Sequence, residues 1–153
     1  MRSNLRPLIL GVCLTLAVAL PAYAKRPIER ITIAGPGLAK PLEVTDRELL
    51  TLSNPWFGKF ADWSRSIEAG PQATPVYDVT LYARLREAEL TPIYQFRYAP
   101  GSSSQPGHVY LPGRGEPWYR QNVSVILRSG HDGRWHLAGP TWEAGIKRAL
   151  GRE

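Results

Sequence analysis

Cysteine and methionine each occur once in the chain, as Cys13 and Met1, and both lie in its first 24 residues. Those residues read as a secretory signal peptide. Arg2 and Arg6 precede an uncharged, mostly apolar run from Leu8 to Leu20, and Pro21 with the small-residue motif Ala22-Tyr23-Ala24 follows. Cleavage after Ala24 leaves Lys25 to Glu153, 129 residues with neither sulfur amino acid. Disulfides, thiolate catalysis and cysteine-ligated metals are thereby excluded from the mature chain. Long apolar runs are missing too. The thirteen residues from Leu8 to Leu20 fall short of a membrane span, which takes about 20, and no later segment is longer. Val12 stands before Cys13 where a lipobox needs a small residue, and Arg2 and Arg6 are not adjacent as a twin-arginine signal requires. The expectation is export by the general secretory route, to the periplasm or the exterior, with no lipid anchor and no transmembrane segment.

A large excess of either charge is missing as well. The full chain carries +6, and without Arg2 and Arg6 it holds 17 basic and 13 acidic residues, or +4. No run of clustered Lys or Arg appears, so a nucleic-acid partner is not expected. Arginine outnumbers lysine fifteen to four, which suits a GC-rich bacterial genome. A mature length of 129 residues matches one domain, and the signal peptide (1–24) and that domain (25–153) make up the chain.

Ile28 to Ile33 reads as a strand stopped by Gly35-Pro36-Gly37, with Pro41 to Val44 as its partner. Thr45 and Glu48 have capping-box spacing, which predicts a short helix. Asn54-Pro55 reads as a second helix start, with Trp56, Phe60, Trp63 and Ile67 in one apolar stripe. From Val76 the period changes to two. Tyr77, Val79, Leu81, Ala83 and Leu85 share one strand face, and Ile93 to Ala99 repeats the pattern with Tyr94, Phe96 and Tyr98. Arg86 to Pro92 reads as a hairpin connection. The low-complexity segment Pro100 to Gly107 is a loop, His108 to Leu111 a strand, and Val123 to Arg128 and Arg134 to Ala138 two strands joined by a hairpin at Asp132-Gly133. Trp142, Ile146, Ala149 and Leu150 close the chain as an amphipathic helix. Together these predict a single α+β domain: an antiparallel meander sheet of about five to seven strands with two or three short helices.

Catalytic signatures are the next thing missing. Gly113-Arg114-Gly115 begins like a phosphate loop, but the third glycine of G-x-G-x-x-G falls on Trp118 and no P-loop lysine follows. His108, His131 and His136 show no zinc-ligand spacing, and as turn and strand residues they are expected to be exposed. Ser129, His131 and Asp132 are too close in sequence to form a triad, and no G-x-S-x-G elbow exists. No cofactor and no metal are expected. Asp62, Asp78 and Glu116 remain as acids that a fold can bring together across a cleft, as glycosidase chemistry requires.

What the chain does have is an aromatic and arginine-rich segment, with Tyr110, Trp118 and Tyr119 interleaved with Arg114 and Arg120. Exposed ring faces stack on sugars or other flat groups, and guanidinium forks pair with carboxylates or phosphates. These five residues are the candidate binding site. The competing reading tucks the three rings into the core, where large aromatics usually lie.

The ordered segments RITIAGPGL, NPWFGKFADW, HVYLPGRGEPWYRQN and DGRWHLAGPTWE resemble the landmarks of a family of uncharacterised exported bacterial proteins. The resemblance spans most of the mature chain and implies a shared fold and export, with no catalytic residue to carry over. The reading is a small exported protein, leaning non-enzymatic: a binding or accessory module at the cell envelope, with an envelope glycan, an anionic polymer or a secreted protein as partner. A hydrolase with paired carboxylates, and a structural or inhibitory protein-interaction module, are the alternatives.

Overall fold

The structure, a computed structural model, describes residues 26–67, 70–71, 75–86 and 89–152. The predicted signal peptide lies outside the described residues. Strands β1 (Arg30–Ala34) and β2 (Leu42–Val44) form the expected N-terminal hairpin. Helix α1 (Arg47–Leu52) follows, then β3 (Ala61–Ile67), β4 (Tyr77–Arg86), β5 (Glu89–Ala99), β6 (His108–Tyr110), helix α2 (Tyr119–Val125), β7 (Trp135–Ala138) and helix α3 (Pro140–Ala149). All seven strands join one antiparallel sheet in the order β2-β1-β4-β5-β6-β7-β3. The chain is a single-sheet α+β domain. β4 to β7 run as a meander, while β3 crosses to the far edge and pairs with β7.

The period-two strands bury one face. Ile31 and Ile33 of β1, Tyr77, Val79 and Leu81 of β4, Tyr94, Phe96 and Tyr98 of β5, and Val109 of β6 all join the core. Helix α3 seals it with Trp142, which is 0% exposed and lies 5.0 Å from the Tyr98 ring and 5.7 Å from Phe96. Its indole N–H donates to Ser53 Oγ at 2.8 Å, so the ring is buried without an orphaned donor.

The opposite face carries a transverse row that register fixes across six strands: Ala34, Asp78, Arg97, Tyr110, Trp135 and Ile67. Its middle is cross-linked. Arg97 Nε stands 3.9 Å from Asp78 and its guanidinium lies 5.5 Å from the centre of the Tyr110 ring, which in turn packs 5.2 Å from Trp135.

Several sequence expectations are corrected. The helix predicted from Asn54 does not form. Asn54 Oδ1 accepts the Trp56 N–H at 3.0 Å, but the chain then turns through Gly58, where a Cβ would meet the Leu52 carbonyl at 2.3 Å, and enters β3. The apparent helical spacing of Phe60 and Trp63 comes from an irregularity in β3. The pairing jumps from Asp62 opposite Leu137 to Ser66 opposite His136, so extra residues loop out and Trp63 swings to within 5.3 Å of Phe60. Asp62 stabilises that loop by accepting from Ser64 N–H and Oγ at 2.9 and 2.6 Å.

The strand predicted over Val123 to Arg128 is instead the last turn of helix α2 and a short unpaired segment, so the Asp132-Gly133 turn joins a helix to β7 rather than two paired strands. Tertiary bonding overrides the β-branched run. β6 stops short of Pro112, which has no N–H to give. Asn122 takes the vacated place beside β5, its Oδ1 accepting the Gln95 N–H at 3.0 Å and its Nδ2 donating to the Gln95 carbonyl at 2.7 Å. The cap of α1 is Asp46, one residue past the predicted Thr45. Pro92, expected in a connection, lies inside β5 opposite Tyr82, where the pairing with β4 shifts register.

Candidate functional site

The predicted binding segment begins where β6 ends. Gly113 starts a turn closed by the Glu116 N–H on the Gly113 carbonyl at 3.0 Å, with Gly115 at φ 91°. Gly113 also packs against the backbone of Gly133, and a Cβ there would lie 2.8 Å from the Gly133 Cα. The Glu116 carboxylate clamps the turn. Its Oε2 accepts both the Tyr110 hydroxyl and the Gly113 N–H at 2.6 Å, and its Oε1 faces Arg97 at 3.7 Å. Partial burial pushes the Glu116 carboxyl up, but the two hydrogen bonds and the Arg97 charge outweigh it and hold the group below its ordinary value. Burial, then the bond and charge of Glu116, push the Tyr110 hydroxyl up to about 12.

Beyond the turn, Pro117 leads to Trp118 in the left-handed region, φ 69° and ψ −13°, where among the described residues it is alone among non-glycines. Such a conformation costs a bulky residue of order 1 to 3 kcal/mol. The Trp118 carbonyl then accepts the Asn122 N–H at 2.8 Å and opens α2.

This path wraps an open groove of about 1070 Å³ lined by Pro92, Arg114, Glu116, Trp118, Tyr119 and Arg120, among others. Four of the five predicted binding residues therefore share one concavity. The fifth, Tyr110, stands beside it on β6, tied to the lining residue Glu116. Neither sequence reading of the rings holds fully: Tyr110, Trp118 and Tyr119 are all half-buried, while Arg114 and Arg120 are exposed. Among the described residues neither arginine has an ion pair. Glu116 was legible as an acid but not as a clamp, and Pro92 as a wall of the groove was not legible at all.

A second polar cluster surrounds Trp63. The Arg128 guanidinium lies 3.8 Å from the centre of the Trp63 ring and donates to the Pro55 carbonyl. The rings of His131 and His136 lie 5.7 and 5.4 Å from the same indole and 5.3 Å from each other. His136, expected at the surface, is 0% exposed. Its Nε2 meets the His131 carbonyl at 2.9 Å. Burial pushes the His136 imidazole down, against the opposing pull of that carbonyl. Burial also pushes the Asp132 carboxyl up, against the pull of His131 and Arg128. Among the described residues no three His, Asp or Glu side chains converge as a metal site.

The third carboxylate of note, Glu143, escaped the sequence reading. It is buried on α3 and pins both ends of the loop from Pro100 to Gly107, accepting from Tyr98 Oη at 3.2 Å and from the N–H groups of Gly101 and Gly107 at 2.8 Å each. Of the acids proposed as a pair, Asp78 and Glu116 meet on Arg97, and Asp62 lies in β3 at the far edge of the sheet.

The fold and site thus define an α+β protein with one helix-covered sheet face and an arginine-flanked groove beside the sheet. No family model, curated protein or solved structure matches this chain. No helix among the described residues is long and apolar enough to cross a membrane.

Proposed function

We propose that this is an exported, non-enzymatic binding or accessory module of the bacterial envelope, periplasmic or extracellular, and that the groove between Arg114 and Arg120 is its ligand site. One observation carries the reading. Two guanidiniums without ion-pair partners among the described residues flank two half-buried ring systems, one of which is held in a strained backbone conformation. Unpaired cations and strained aromatics serve recognition better than they serve folding.

The reading is tested by amide chemical-shift mapping of the mature protein against a panel of envelope glycans, anionic polymers and co-secreted proteins. A ligand should move the signals of residues 114–121 first, and Trp118→Ala should abolish the shifts without unfolding the domain. Shifts confined to other surfaces would overturn the assignment.

The hydrolase alternative draws on Asp78 and Glu116 meeting at Arg97. Glu116 is held below its ordinary value, however, the reverse of what a general acid requires. The protein-interaction alternative draws on Phe57 and Leu127, 56% and 63% exposed. The segments bearing them are tied together by Trp56 Nε1 on the Val125 carbonyl at 3.1 Å.

A further inference from the structure

We infer that the ligand of this groove is an anionic glycan, a chain of sugar rings whose carboxylates or phosphates pair with Arg114 and Arg120 while ring faces stack on Trp118 and Tyr119. The inference rests on the groove being the ligand site and adds the class of what it holds.

Among the groove-lining residues one carries a carboxylate, Glu116, and it is already engaged: Oε2 accepts from Tyr110 and Gly113, and Oε1 faces Arg97 at 3.7 Å. Arg114 and Arg120 have no carboxylate partner among the described residues. The groove therefore presents two uncompensated positive forks, each shaped for bidentate pairing with a carboxylate or a phosphate. A neutral ligand would leave both charges uncompensated.

The lining favours a sugar chain over an acidic peptide that binds by strand addition. One way an extended peptide gains affinity is by adding a strand to a free sheet edge. The edge nearest the groove is the first part of β5, where β6 no longer pairs. It is taken in its middle: the Gln95 N–H and carbonyl bond Asn122, the Ile93 carbonyl accepts from Gln121 Nε2 at 3.5 Å, and Pro92 next to it has no N–H to offer. What remains on offer is side-chain surface: the indole, the phenol ring and the flanking prolines Pro92 and Pro117. The Trp118 indole N–H and the Tyr119 hydroxyl also make no hydrogen bond to the described residues, so both can bond sugar hydroxyls.

The test uses tetragalacturonate, its fully methyl-esterified counterpart, a phosphorylated mannooligosaccharide and poly-L-glutamate, each titrated into the mature protein by calorimetry and amide shift mapping. Tetragalacturonate or the phosphorylated sugar should bind at residues 114–121, with whichever binds tighter identifying the anion. Esterification, or the double change Arg114→Ala and Arg120→Ala, should weaken binding about tenfold or more, the scale of losing a charge-assisted hydrogen bond. Raising the salt should weaken it as well. Arg114→Lys with Arg120→Lys keeps the charge but loses the forks, and should recover only part of the affinity. Equal binding of the acid and its ester at the same residues would overturn the anionic assignment and leave the groove intact as a ligand site. Poly-L-glutamate binding as tightly as the best sugar would overturn the glycan assignment. If none of the four probes moves residues 114–121, the inference fails outright.

Discussion

Two loops flank the short strand β6, and each is held by the same device, a glutamate that accepts from a tyrosine hydroxyl and from at least one glycine N–H. Ahead of β6, Glu143 takes Tyr98, Gly101 and Gly107. After it, Glu116 takes Tyr110 and Gly113. Each clamp has a tryptophan close by in sequence, and there the two regions part. Trp142 is fully buried among Phe60, Phe96 and Tyr98, with its N–H satisfied by Ser53. Trp118 is half-buried at φ 69°, and no described aromatic ring packs on it. The same clamp chemistry therefore serves two ends. In one region it closes a loop over the core, and in the other it holds a ring at the edge of a groove.

Deleting each ring in turn separates the two regions most strongly. Trp142→Ala should cost about 3 to 5 kcal/mol, the range for deleting a buried aromatic. Trp118→Ala should fall within about 1 kcal/mol of the parent, as substitutions outside the core do. Urea denaturation of the mature chain measures both. Equal losses would mean that Trp118 is a core residue and that the groove is an accident of packing.

The clamps themselves come next. Glu143→Gln puts an amide NH₂ against N–H donors in a buried setting, and should cost about 2 to 3 kcal/mol. Amide exchange should quicken at Gly101 and Gly107 if that loop depends on the carboxylate. Glu116→Gln should cost less, about 1 kcal/mol, because its site is partly open to solvent. A larger loss at Glu116 would place its loop in the structural rather than the functional half of the comparison.

Acid should expose a further asymmetry, this time between the Trp63 cluster and the groove. Burial holds the His136 imidazole below its unfolded value, so the folded state binds fewer protons there. Its contribution is fully present above about pH 6.5 and is lost as pH falls below that. His108, lowered by burial against the pull of Glu143, adds in the same direction. Glu116 is also held down, but as a carboxyl it loses its contribution only below about pH 4.5. Stability measured between pH 7 and 5 should thus decline in the parent and decline less in His136→Gln, while Glu116→Gln leaves that window unchanged. A parallel decline in all three would remove His136 as the cause.

These differences bear on how much was legible in the sequence. The period-two strands β4 and β5, the closing helix and the turn glycines were, because local pattern and burial agree there. β3 and α2 were not, and for one reason: each is decided by a distant partner. β3 is a strand because β7 pairs with it, and its looped-out residues mimic helical spacing. α2 is held beside β5 by the Asn122 amide, whose bonds to Gln95 join residues 27 apart. In the site, the aromatic and arginine content was visible, and so was its local grouping. Glu143 was invisible, because a lone acid on an amphipathic helix reads as surface until the loop it holds is placed over it.

The smallest predicted effect is the most discriminating. If Trp118 is strained, Trp118→Gly should be more stable than Trp118→Ala by about 1 kcal/mol, since glycine enters the left-handed region without the Cβ clash. The order is the reverse of the one expected in a helix or a relaxed loop, where alanine wins. At φ 69°, just before α2, the backbone favours glycine, yet the chain carries its largest side chain there. An observed Gly above Ala ranking, with the parent no more stable than either, would mean that the indole adds nothing to the fold to offset its strain. Its use then lies in what it faces, the groove between Arg114 and Arg120.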